Sequence, residues 1–141
     1  MKSAIHGLIM KAVHENQLFF PQVNSDAYAD KLLNKATIFY EELDRKAIAF
    51  IAFYDNDESK QTAFLSLVYI SPEARRRGIG AKLIEKAIHH LKAKKINVFR
   101  LEVHRENLAA IQLYQSVGFK ETSCKEQMME MEYNLLNREK S

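Results

Sequence analysis

An α/β fold of α+β character, made by one domain over residues 1–141, is what the sequence predicts, and three observations carry it. Residues 64–91 read as a strand, a basic glycine-punctuated loop and a helix in direct succession. A further strand at residues 97–103 follows that helix, and a strand–helix–strand crossover sets its two strands parallel. Strand runs before and after this unit are joined by short polar connections, which fold strands back antiparallel.

Each element has its own signal. Residues 1–16 put Ala4, Ile5, Leu8, Ile9, Ala12 and Val13 on one stripe, as in a helix packed on a core. Residues 18–23, with Phe19, Phe20 and Pro21, read as an apolar connector. Ser25 is placed to N-cap a helix over residues 26–35, where Asp26 meets the positive end of the dipole. Residues 36–43 and 47–54 read as strands joined by Asp44-Arg45-Lys46, a weaker hairpin turn than Asn-Gly. Residues 55–60 are a polar loop and residues 61–70 a third strand, completing an antiparallel meander.

The helix over residues 79–91 aligns Ile79, Leu83, Ile84, Ala87, Ile88 and Leu91 on one face. Residues 92–97 are polar and basic, and residues 97–103 carry Val98, Phe99, Leu101 and Val103 into a strand closed by His104-Arg105-Glu106-Asn107. Residues 108–117 read as a helix ended by Gly118. Residues 119–124 and 127–135 are the last two strands, and residues 137–141 a frayed tail.

Composition narrows the function classes. With 47% hydrophobic and 28% charged residues the chain reads as globular. A net charge of +3 is too small to demand a nucleic-acid partner. One cysteine, Cys124, excludes an internal disulfide framework and fits a reducing compartment. No apolar run approaches the ~20 residues of a membrane span, and polar residues come too early for a signal peptide. The cytoplasm is the expected location, with no membrane partner. His6, His14, His89 and His90 show no metal-ligand spacing, so no metal is expected.

The loop ahead of the third helix carries Pro72, Arg75, Arg76, Arg77, Gly78 and Gly80. A helix N-terminus presents unpaired N–H groups and partial positive charge. Glycine permits close backbone approach, and arginine adds forked donors, so the loop has the parts of a phosphate cradle. It is no Walker A loop, since no Lys-Ser or Lys-Thr follows the glycines. It fits a dinucleotide fingerprint poorly, because Leu83 stands at the third glycine position. Glu102 lies at about the distance that fingerprint wants, so a nicotinamide cofactor stays open beside a plain basic surface loop.

Two segments together resemble one family. Arg75-Arg76-Arg77-Gly78-Ile79-Gly80, after Ser71-Pro72-Glu73, is similar to the acyl-CoA-binding signature of the GNAT superfamily of N-acetyltransferases, which is Gln or Arg, two free positions, Gly, one free position, then Gly or Ala. Asn107, Ala110, Leu113, Tyr114, Gly118 and Phe119 match its second signature at each spacing. The resemblance covers about residues 61–119. It implies a mixed, mostly antiparallel six-stranded sheet, helices on both faces and a splayed parallel strand pair at the centre. The family usually opens on a strand, whereas this chain opens on a helix. The exposed sheet edge that follows makes a homodimer one expectation.

The resemblance also implies transfer of an acetyl group from acetyl-CoA to a primary amine, by direct attack in a ternary complex. Backbone N–H groups of Arg76, Arg77, Gly78, Ile79, Gly80 and Ala81 would take the pyrophosphate, with the side chains of Arg75, Arg76 and Arg77 as counter-charge. Pantetheine would pair with the strand backbone at Tyr69 and Ile70, and Asn107 would also touch the coenzyme. Tyr114 would sit near the sulfur as proton donor to the leaving thiolate. A phenol near ~10 protonating a thiolate near ~8.5 is uphill by roughly 2 kcal/mol, so Tyr114 would act by concerted hydrogen bonding or be tuned by its site. Glu102 is the candidate base, because members that acetylate protein N-termini carry a glutamate twelve residues before the tyrosine. A surface glutamate on an alternating strand is the competing reading. His104, Glu130 and Glu132 are rival bases, and Glu130 and Glu132 with Glu41 and Glu42 could line an acidic entry for a cationic amine.

Two other classes stand beside the enzyme. One is a catalytically silent CoA-binding or regulatory module of the same fold, against which Tyr114 argues. The other is a nucleic-acid-binding domain, which lacks aromatic stacking residues beside the arginines. The acceptor, whether protein N-terminus, amino sugar, polyamine or amino acid, is not encoded in any motif.

Overall fold

The computed structural model describes residues 2–16 and 24–136; the connector over residues 18–23 and the tail over residues 137–141 lie outside the described residues. Helices α1 (Lys2–Glu15) and α2 (Ser25–Lys35) precede strands β1 (Thr37–Leu43), β2 (Lys46–Tyr54) and β3 (Thr62–Ile70). A single 3-10 turn at Pro72–Ala74 leads into α3 (Ile79–Ala93), then β4 (Val98–His104), α4 (Leu108–Val117), β5 (Lys120–Lys125) and β6 (Met128–Asn134). The six strands lie in the order β1-β2-β3-β4-β6-β5. Only β3 and β4 pair in parallel, and they sit at the centre.

Both faces of the sheet are covered, each by its own apolar stripe. Ile5, Leu8, Ile9 and Ala12 of α1, with Ala29 and Leu32 of α2, pack onto Phe50, Ala52, Leu67 and Tyr69. On the other face Leu83, Ile84, Ala87 and Leu91 of α3 and Ile111 of α4 pack onto Ile51, Phe53, Phe99, Leu101 and Met131. Each Leu, Ile, Phe or Met among them contributes about 1.5–3 kcal/mol on burial. The β2 run AIAFIAF is buried on both sides, which is why it reads as unbroken apolar sequence.

The local chemistry moves several expected boundaries. Asn24, not Ser25, caps α2: its backbone is extended and its side chain accepts from the Ala27 N–H at 3.1 Å. Ala36 closes that helix by donating to the Leu32 carbonyl, so β1 begins one residue later than the sequence suggests. Phe119 similarly spends its N–H on the Tyr114 carbonyl, and β5 begins at Lys120. The β1–β2 turn holds Asp44 and Arg45 at φ 54° and 66°. These are the angles of a two-residue hairpin turn that Asn-Gly usually fills. Packing of the flanking strands supports it here with less suited residues.

The feature that shapes the site lies in β3. Ala52 pairs with Leu67 but Phe53 pairs with Leu65, which leaves Ser66 as an extra, bulged residue. A bulge bends its strand and increases local twist. The parallel ladder to β4 runs from Thr62↔Val98 to Phe64↔Arg100 and stops there. Past the bulge the two strands separate, while each keeps its outer neighbour.

Far from that gap, Asp55 ties three elements together. Its carboxylate accepts from Thr37 Oγ1 at 2.8 Å and lies 2.7 Å from His90 Nε2 and 3.2 Å from Lys94 Nζ. Burial opposes its ionisation, but hydrogen bonds from His90, Thr37 and Lys94 outweigh burial and hold its pKa below the ordinary carboxylate value. A depressed folded pKa gives stability that is complete above the unfolded value near ~3.9 and is lost as pH falls through the folded one. Thermal melts between pH 3 and 7 should therefore show Asp55→Asn with a flatter acid limb than the parent protein. At neutral pH the same variant should lose about 1–3 kcal/mol.

Candidate active site

A cleft of about 940 Å³ opens where β3 and β4 part. Residues 66–70 form one wall, Glu102, Val103 and His104 the other, and the starts of α3 and α4 close one end. Strand backbone that has lost its ladder carries N–H and C=O groups able to pair with an extended ligand. Tyr69 and Ile70 line this cleft.

The glycine loop delivers α3 to the same cleft. Gly78 sits at the N-cap with φ 75° and no side chain caps the helix. The N–H groups of the first turn, at Ile79, Gly80 and Ala81, lack intrahelical acceptors by geometry. They line the cleft with Arg76 and Gly78. The two glycines do different work. A Cβ at Gly78 would meet nothing within 4 Å, so its need is the left-handed backbone. A Cβ at Gly80 would stand 3.1 Å from both Ile70 Cδ1 and Leu113 Cδ2, so that glycine lets α3 close onto β3 and α4.

The three arginines do not act alike. Arg75 donates from Nε to the Ile70 carbonyl at 2.9 Å and from its terminal nitrogen to both carboxylate oxygens of Glu15. Its guanidinium lies 5.7 Å from the Tyr69 ring centroid, and the Tyr69 hydroxyl donates to Glu15 at 3.3 Å. Among the described residues, the side chains of Arg76 and Arg77 form no hydrogen bond or ion pair; Arg75 and Arg76 line the cleft and Arg77 stands outside its lining.

Tyr114 comes from α4, packs its ring 5.9 Å from Phe119 and is buried in the cleft wall. Burial, with a smaller contribution from Tyr28, pushes its phenol well above the ordinary value. It therefore keeps its proton through the physiological range and has an O–H to donate. Asn107 N-caps α4, its Oδ1 accepting from Ala110 at 3.4 Å, and also lines the cleft.

Glu102 lies on the face of β4 opposite Leu101 and Val103, exposed, and reaches the cleft. Among the described residues it makes no ion pair. It also borders a smaller depression of about 180 Å³ with Ser123, Lys125, Met128 and Glu130. Glu130 is its direct cross-strand partner, and facing carboxylates repel. His104, two residues on, lines the cleft as well and accepts from the Glu106 N–H at Nδ1.

The expected acidic entry does not form. Glu132 holds Arg100 with contacts of 2.6 and 2.7 Å, and Glu130 approaches it at 3.8 Å. Glu41 and Glu42 belong to β1, four strands from β6, a separation of roughly 19 Å at the usual strand spacing. Alternating acids in two strands carry no sign of how far apart those strands lie.

Two site residues escape sequence reasoning. Tyr28 of α2 brings its hydroxyl to 2.9 Å from Ser66, the bulged residue on the cleft wall. Ser66 interrupts an apolar strand, a signal that could have been read. Glu15 ends α1 with a carboxylate, where the dipole disfavours negative charge, and that misfit points to a partner elsewhere. Among the described residues, no group of three or more His, Cys, Asp or Glu is placed to hold a metal, and no helix is long and apolar enough to cross a membrane.

Residues 9–119 match the family model described as the acetyltransferase (GNAT) family. An uncharacterized N-acetyltransferase of Methanocaldococcus jannaschii is 34% identical over 87 residues, 59% of this chain and 38% of the relative. The [ribosomal protein bS18]-alanine N-acetyltransferase of Salmonella typhimurium is 38% identical over 63 residues, 45% of this chain and 43% of the relative. The matched stretches thus span well under half the length of these two curated relatives. Among solved structures, the PaiA N-acetyltransferase of Thermoplasma acidophilum in complex with coenzyme A superposes with TM-score 0.75 at 22% identity, covering 94% of this chain and 92% of that one. The splayed central strands, the uncapped α3 and a family match over most of the sequence agree, and the chain belongs to the acetyltransferase (GNAT) family.

Proposed function

We propose that this chain transfers the acetyl group of acetyl-CoA to a primary amine by direct attack in a ternary complex. The observation that carries the reading is the convergence, in one cleft, of free strand backbone, a bare helix N-terminus and a buried tyrosine that stays protonated. The cofactor-binding role falls to Tyr69, Ile70 and Asn107 and to the backbone from Arg76 through Ala81, with Arg76 as counter-charge. The acyl thioester supplies the activated carbonyl. A strand N–H near Tyr69 and Ile70 meets the charge that develops on its oxygen. Tyr114 hydrogen-bonds the departing sulfur. Its raised pKa makes full proton transfer more uphill than the ~2 kcal/mol of an ordinary phenol, so it stabilises charge in place.

Glu102 is the base, acting directly or through water on an amine that arrives protonated. Magnitudes bear on the acceptor. An α-amino group near ~7.8 surrenders its proton about 2.6 units more readily than a lysine-like amine near ~10.4, roughly 3.5 kcal/mol. A solvated carboxylate with no cationic partner among the described residues suits the easier task, so a polypeptide N-terminus is the favoured acceptor within the class. The Salmonella relative is named for acetylating such an alanine. A reducing, cytoplasmic setting suits the exposed free thiol of Cys124.

Incubation with acetyl-CoA and a panel of alanine-initiated peptides, polyamines, amino sugars and free amino acids tests the reading by thiol release. Acetylation of a peptide N-terminus is expected, and coenzyme binding without turnover on any amine would leave a silent binding module. Tyr114→Phe should lower turnover by roughly 10²–10⁴-fold with CoA affinity, read by calorimetry, unchanged; unaltered turnover removes Tyr114 from the mechanism. Glu102→Gln should cost about 10²-fold or more in kcat/KM for the amine, while Glu132→Gln, which only loosens Arg100, stays within about three-fold of the parent.

A further inference from the structure

Arg75 opens the coenzyme-binding signature, and that position predicts a phosphate ligand. Two of its three guanidinium nitrogens are already committed within the protein. Nε is given to the carbonyl of Ile70, the last residue of β3. The terminal nitrogen is given to both oxygens of Glu15, the last residue of α1. The guanidinium lies against the Tyr69 ring, whose hydroxyl returns to the same carboxylate. A planar fork that satisfies a carboxylate and a carbonyl together is a demand only arginine meets. Turning it toward a phosphate would strip Glu15 and the end of β3 at once.

We infer that Arg75 and Glu15 form a positioning clasp that pins the end of α1 to the end of β3, and that Arg75 serves the coenzyme loop as a strut and not as a phosphate ligand. Phosphate charge is then met by the α3 N-terminus and by the side chain of Arg76. The clasp stands at the point where the wall of the cleft becomes the loop. Its release disturbs the departure angle of residues 71–78 and, through α1, the opposite face of the sheet. The inference rests on the proposed coenzyme site for its binding arm and on the fold alone for its exchange arm.

Calorimetric titration of CoA into the parent protein, Arg75→Gln, Glu15→Gln, the double variant and Arg76→Gln, at low and high salt, reads the binding arm. Arg75→Gln and Glu15→Gln should each weaken CoA by roughly three- to ten-fold, and the double variant should be no worse than the weaker single one, because the two residues act as one unit. Salt dependence should keep the parent slope in Arg75→Gln and flatten in Arg76→Gln, since only a charge facing phosphate is screened. Amide exchange should quicken in the last turn of α1 and across residues 69–75 in both single variants. The inference is overturned if Arg75→Gln weakens CoA and flattens the salt slope while Glu15→Gln leaves affinity unchanged or tighter, which is the pattern of a phosphate ligand. Unchanged exchange in both variants also overturns it. A parent protein that binds no CoA sinks the coenzyme reading, while the exchange result still judges the clasp.

Discussion

Everything at the candidate site depends on hydrogen bonds that two neighbouring strands do not make. β3 and β4 share a ladder for three residue pairs and then part, because Ser66 adds one residue to β3 that β2 cannot match. Peptide groups withdrawn from a sheet must find other partners or water. The cleft collects such groups along one line and leads them to the bare end of α3. A continuous six-stranded sheet with the same side chains would have no room for a ligand and no reason to hold one.

The helices then set the chemistry around that line. α3 brings N–H groups, α4 brings Tyr114, and α2 brings Tyr28 to the bulge from the opposite face. The environment of Tyr114 fixes its part more firmly than its identity does. A phenol in water can ionise; a buried one keeps its proton and so keeps an O–H to offer. Glu102 is the contrary case, a carboxylate left in solvent and facing another, where proton uptake from an amine is not blocked by a fixed partner.

Much of this was legible in the sequence because it is local. The order of elements, the central parallel pair, the glycine loop and the spacing of Asn107 and Tyr114 are one-dimensional patterns. The bulge is not: Ser66 stands out in FLSLV as a polar break, but its being the extra residue depends on what β2 offers opposite. The pairing of Arg75 with Glu15 spans sixty positions and depends on where α1 ends. The acidic entry failed for the same reason in reverse: Glu41 and Glu130 look alike in sequence, and only the strand order separates them. The cap of α2 moved by one residue because Asn24 and Ser25 are both good caps and only backbone conformation chooses.

β2 has a consequence beyond its place in the sheet. Ile51 and Phe53 belong to one apolar cluster, and Phe50 and Ala52 to the other. The two halves of the interior are thus threaded on a single strand, and neither can melt while the other stays intact. Unfolding should be all-or-none, and a defect in either cluster lowers the survival of the other by the same amount.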